Sequence, residues 1–171
     1  MRMTSEQMKR NQRTSLLIWL SLVLVIIATI FAFSSQTGAQ SDAVSKGLVV
    51  GIIRLLRGNA SAATVLRYNG IIRKVAHFGM FALLGIALAG AFRHQNRLPK
   101  LLTAIVVAIV FAALDEIHQV FVDGRGAELR DVLIDSAGAV AGALLLTRTV
   151  RLIQKRNKRK EEENARSNSN D

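Results

Sequence analysis

LLTAIVVAIVFAALDEIHQVFV, residues 101–122, decides the fold. Its first fourteen residues carry no charge, and Asp115-Glu116-Ile117-His118-Gln119 then places five positions of mixed chemistry near the end of the run. An α-helix rises about 1.5 Å per residue, so roughly 18 to 22 apolar residues cross a hydrocarbon core of about 30 Å. Residues 16–33, 71–92 and 132–150 form comparable runs. The reading is an all-α integral membrane bundle of about four transmembrane helices. It forms one membrane domain over residues 16–150, with a cytoplasmic N-terminus over 1–15 and a basic, then polar, cytoplasmic tail over 151–171.

Charge placement sets the expected orientation. Of 171 residues, 23 are Lys or Arg and 12 are Asp or Glu, a net charge of +11. Eight of the basic residues lie from Arg148 onward, just past the last apolar run, which suits an anchored tail rather than nucleic-acid binding. Arg2, Lys9, Arg10 and Arg13 precede the first run, and Arg93, Arg97 and Lys100 join the second to the third. Lys and Arg concentrate in cytoplasmic segments, so both termini are expected in the cytoplasm. The first run is longer than the roughly 7 to 15 apolar residues of a signal peptide, which favours an uncleaved helix. Cysteine is absent, which excludes disulfide and thiolate chemistry.

The long first extracytoplasmic loop, residues 34–70, is expected to be helical. Lys46, Val50, Arg54 and Arg57 share one helical face, while Val44, Leu48, Val49, Ile52, Leu55 and Leu56 fill much of the rest. Such a helix lies in the membrane interface or packs on the bundle. Asn59 is a candidate cap for a second short helix ending near Asn69-Gly70. After Lys155 the tail is expected to be mobile and solvated. Gly138 and Gly142, with Gly85 and Ala89, provide small residues for close helix packing, and Trp19 suits an interfacial aromatic belt. Packing within the bundle is the default use of the small residues; a dimer face is the alternative, so the oligomeric state stays open.

The polar motifs converge if all four runs cross. Lys74 and His77 share a face near the start of the second run. Asp115 shares one with His118 and Gln119, and Glu116 pairs with Gln119 at i+3. Asp123-Gly124-Arg125-Gly126 reads as a turn, and Asp131 and Asp135 stack at i+4 in the fourth run. With Ser34-Ser35-Gln36 they gather at the extracytoplasmic end, and ionisable groups beside a membrane helix are costly unless paired or facing a wet cavity. The expected binding residues are Lys74, His77, Asp115, Glu116, Gln119, Arg125, Asp131 and Asp135.

That gathering admits several chemistries. His77 with Asp115 or Glu116 would make a general acid/base pair acting on an envelope lipid or glycan, although no nucleophile stands out. A metal could draw on His77, Asp115, Glu116, His118 and Asp131, but the spacing matches no established ligand pattern, and the expectation is no metal and no cofactor. Lys74 and Arg125 over the carboxylates would make an anion or headgroup site. A purely structural network, in which Lys74 and Arg125 neutralise Asp115 and Asp131, uses the same residues. A small transporter is the weakest alternative, because ionisable groups do not line the span.

Lys74-Val-Ala-His77-Phe78, then Asp115-Glu116-Ile-His-Gln119-Val-Phe121, then Gly124-Arg125 through Asp131-Val-Leu-Ile-Asp135-Ser-Ala-Gly138, resembles the VanZ-like membrane proteins. Ser34-Ser35-Gln36 fits the same pattern. The resemblance covers roughly residues 20–147. It differs at Asp123, where a proline is common, and at Asp135, where asparagine is common. The resemblance implies a bacterial cell-envelope protein of unestablished biochemical activity that contributes to glycopeptide (teicoplanin) resistance. Its partners would be membrane lipids and an anionic envelope lipid or lipid-linked glycan, with no nucleic acid.

Overall fold

A computed structural model describes residues 4–59, 61–93 and 100–167, and its regular elements are all α-helices. They are α1 (Ser5–Ser34), α2 (Gly38–Arg57), α3 (Ala62–Phe92), α4 (Lys100–Val120) and α5 (Leu129–Ser167). By length and composition α1, α3 and α4 are able to cross a membrane. The fourth apolar run, 132–150, forms the first half of α5, which does not join those three on the same criteria. That half mixes Ala and Gly with Val, Leu and Ile and carries Asp135 and Arg148.

Local chemistry explains the helix starts. Thr4 caps α1 reciprocally with Gln7, so the helix begins in the polar N-terminal segment, well ahead of the apolar run. Thr37 and Gln40 repeat the device at the start of α2. The sequence places a cap at Asn59 and a helix break near Asn69-Gly70. Instead Ser61 caps α3, which runs unbroken to Phe92. The side chain of Asn69 is occupied by partners on α2, where it accepts from Ser45 Oγ and donates to Asp42. It therefore does not compete with its own backbone, and the helix continues through Gly70.

The same contacts pack α2 against α3, with Ser41, Ser45 and Val49 buried. Its outer face still exposes Val44, Leu48, Ile52, Leu55 and Leu56. Asp42 also pairs with Lys46 at 2.7 Å. The Lys46 ammonium, then the Asn69 amide, hold its carboxyl below the usual range. At the other end of the chain the tail departs from expectation: α5 continues as helix to Ser167, with exposed side chains over 151–163 and a Lys158–Glu162 pair at 3.8 Å. Arg2 and Arg97 lie outside the described residues.

Small residues fill the interior. Ala104, Ala108 and Ala112 of α4 and Ala139 and Ala143 of α5 are fully buried beside Phe81 and Leu84 of α3. α3 and α5 form the most extensive pairing in the bundle. A Cβ at Gly85 would strike the Ala139 carbonyl, one at Gly138 the Phe78 carbonyl, and one at Gly142 the Ala82 carbonyl. These glycines let two backbones touch and gain dispersion contact. Outward, α1 exposes Leu17, Ile18, Leu22, Leu24 and Val25. Trp19 is partly buried, with its ring over Gly90 and the Arg93 guanidinium 5.9 Å from the ring centre.

Gly142→Val should therefore destabilise the protein by about 1–3 kcal/mol or more, because neither backbone can yield. Ala137→Val, on an exposed face of the same helix, should stay within about 0.5 kcal/mol. Thermal melts of the two variants in detergent check this. Equal midpoints would mean that the α3–α5 approach is looser than described.

Candidate functional site

The floor of the site is built where three helices bring in polar side chains among apolar ones. Ser34 closes α1, and its hydroxyl donates to Asp115 Oδ2 of α4 at 2.7 Å. One turn further along α4, Gln119 Nε2 donates to the same oxygen at 3.0 Å. Asp115 is completely buried, and its Oδ1 has no hydrogen-bond partner. Across from it, His77 Nδ1 of α3 lies 3.5 Å from Asp135 Oδ2 of α5. Asp135 is buried too, and again Oδ1 is unpartnered.

A second tier ties the helix ends to the turn. Lys74 Nζ lies 2.6 Å from Asp131 Oδ1 and 3.7 Å from Glu128 Oε2. Glu116 is buried; one oxygen accepts from the Glu128 backbone N–H and the other has no partner. The Glu128 carbonyl in turn accepts from Asp131 N–H at 2.8 Å. Ser35 Oγ meets His118 Nε2 at 3.0 Å, and the His118 ring lies 5.5 Å from Phe31. His118 is thus a packed residue at a helix end and faces α1.

The turn after α4 docks on the start of α2. Gly38 N–H donates to the Asp123 carbonyl at 2.9 Å, and the Gly124 carbonyl sits where a Cβ of residue 38 would be. Gly124 has φ +72°, a conformation that favours glycine. This docking carries Arg125 inward. Its guanidinium is partly buried and its Nε has no hydrogen-bond partner. Burial, then the neighbouring Arg73, push its pKa down.

Between these tiers lies a polar cavity of about 150 Å³. Arg73, Lys74 and His77 line it from α3, Gln119 from α4, Arg125 from the turn, and Asp131 and Asp135 from α5. All eight binding residues expected from the sequence stand at this end of the bundle, seven in or beside the cavity wall and Glu116 of α4 behind it, bonded to the Glu128 backbone. The pairing differs from the expected network. Lys74 does join Asp131, but Asp115 is held by Ser34 and Gln119 rather than by either cation of that network.

Arg73 and Glu128 are charged cavity residues absent from the set expected from sequence; Arg73 is the one that carried a signal. Its signal was the i+4 spacing to His77. Of the groups weighed for a metal, His77 and Asp115 join with Asp135: each offers a ligand atom, all within 4.8 Å of one another. Glu116, His118 and Asp131 are not part of that group.

The comparisons agree with the motifs. Residues 19–152, most of the chain, match the profile of the VanZ/LLP1 family. The protein is a member of the VanZ/LLP1 family, with apolar helices suited to a membrane. No curated protein and no solved structure matches the chain significantly.

Proposed function

We propose that this VanZ/LLP1-family protein binds the anionic, phosphate-bearing headgroup of an envelope lipid or lipid-linked glycan in the polar cavity. One observation carries the reading. Arg73 and Arg125 line the same cavity, neither forms an ion pair among the described residues, and Arg125 Nε is buried without a partner. Two guanidinium groups facing one small polar space without an ion-paired carboxylate leave donors for an anion, and guanidinium geometry matches phosphate oxygens. Lys74, Asp131 and Glu128 then act as a positioned wall, with the positive charge of Lys74 already committed.

The setting follows from charge and topology. In this reading the first half of α5 crosses as a fourth span, because an even number of crossings returns both basic termini to the cytoplasm. The cavity then opens extracytoplasmically at headgroup level, and the apolar face of α2 lies in the interface. The bacterial cell membrane and a contribution to teicoplanin resistance are what the family likeness adds. An enzymatic reading of the same site rests on His77 beside Asp135, an arrangement suited to general-base work on a bound headgroup. A transporter fits less well: α4 holds no ionisable residue between Lys100 and Asp115, and α5 none between Asp135 and Arg148.

Binding of short-chain phosphatidylglycerol and of a neutral glycolipid to the purified full chain tests the headgroup reading. The anionic lipid should bind more tightly. Arg125→Gln and Arg73→Gln should each weaken it about 10- to 100-fold, the worth of a lost charge-assisted contact of about 1.5–3 kcal/mol. Equal binding of both lipids, unchanged in the folded variants, would exclude it. For orientation, Ala127→Cys should react with an impermeant maleimide on intact cells and Asn157→Cys only after permeabilisation. The reverse pattern would put the cavity at the cytoplasmic face.

A further inference from the structure

The floor of the cavity poses a charge problem that the headgroup reading does not solve. Asp115 is 0% exposed and Asp135 1%, and each keeps one oxygen without a hydrogen-bond partner. A carboxylate oxygen taken out of water with nothing in exchange is expensive, so buried carboxylates are normally paired or bound to a cation. Lys74 is engaged by Asp131 and Glu128. Among the described residues, the cationic partner within ion-pairing distance of either aspartate is His77. With Glu116 buried behind them, the floor holds more carboxylates than positive charges.

We propose that His77, Asp115 and Asp135 bind a divalent transition-metal ion, zinc or manganese. Their ligand atoms lie within 4.8 Å of one another. Bonds of about 2.1 Å place neighbouring donors on a tetrahedral ion roughly 3.4 Å apart. His77 Nδ1 and Asp135 Oδ2 are already 3.5 Å apart, so binding requires only a modest closing of Asp115 toward them. One imidazole with two carboxylates suits zinc or manganese better than calcium or magnesium, whose ligands are oxygens.

The surroundings are arranged as they are around metal ligands. Ser34 and Gln119 both donate to Asp115 Oδ2, which fixes the carboxylate and leaves Oδ1 free for an ion. His77 and Asp135 also border the cavity, so the fourth position of such an ion would open into it. The site stands on these floor residues and holds whether or not a lipid headgroup binds above.

The test uses the full chain in detergent, with any purification tag removed, stripped by a chelator and then titrated with zinc or manganese. Metal content by mass spectrometry should approach one ion per chain, with a higher melting midpoint that chelator reverses. Asp115→Asn and His77→Gln should each weaken the affinity at least about tenfold. Asp42→Asn, on α2 where Asp42 meets Lys46 and Asn69, should bind as the native chain does. If the floor variants fail to fold, the native chain decides alone through its ion content and chelator-sensitive midpoint. Metal content at the buffer level with an unmoved midpoint would overturn the site and leave protons to neutralise the floor. Tight binding that survives both floor substitutions in folded protein would equally overturn it.

Discussion

Two carboxylates held out of water between membrane-type helices govern the rest of this structure. Burying an ionised carboxylate costs several kcal/mol even after relaxation, whereas a hydrogen bond to a charged group returns about 1.5–3 kcal/mol. Asp115 gains two such bonds, from Ser34 and Gln119, while Asp135 has only His77. Both leave an oxygen unsatisfied. Replacing such buried charges and their partners together by apolar residues of the same size is often neutral or stabilising. The arrangement makes physical sense as a binding floor whose balance is completed by something it holds.

The bundle is shaped to carry that floor. Because α3 and α5 approach to backbone contact at Gly85, Gly138 and Gly142, His77 and Lys74 come within reach of Asp135 and Asp131. Larger residues there would push the helices apart and separate the two pairs. The alanine ladder of α4 seats Asp115 and Gln119 on the same inward face as Ala104, Ala108 and Ala112. Large aliphatic residues point outward, the reverse of a soluble helical protein and the distribution expected where lipid surrounds the helices. The turn from Asp123 to Arg125 closes the cavity by docking on Gly38, which gives α2 a part in the site although it contributes no lining side chain.

Much of this was legible in the sequence, at the level of runs and ends. Charge-free stretches announced the three helices long and apolar enough to cross a membrane, and the ends of the apolar runs held Lys74, His77, Asp115, Arg125 and Asp131, which the structure brings together. Small residues at four-residue spacing foretold the close packing. Partner choice was not legible, because it depends on helix rotation across the bundle, which no local pattern encodes. So Lys74 and Arg125 were set against Asp115 and Asp131 as a group, whereas Lys74 pairs with Asp131 and Ser34 joins Gln119 in holding Asp115, and Arg73 was passed over beside Lys74. The boundary near Gly70 failed for a related reason: Asn69 signals a helix end only when its side chain lacks a tertiary partner, and α2 supplies two. The tail stays helical to Ser167 although its composition suggested a mobile segment. Helix-compatible residues and i,i+4 pairs such as Lys158–Glu162 continue the helix started in the bundle.

The claim that the buried carboxylates serve binding rather than cohesion is tested most directly by the stability of Asp135→Asn in metal-free, lipid-depleted protein. The amide has the shape of the carboxylate without its charge, and Asp135 gains little from its surroundings. The account predicts a melting midpoint equal to or above that of the native chain. A loss of stability of more than about 1 kcal/mol would contradict it, and would make the His77–Asp135 pair a structural bond that holds α3 to α5.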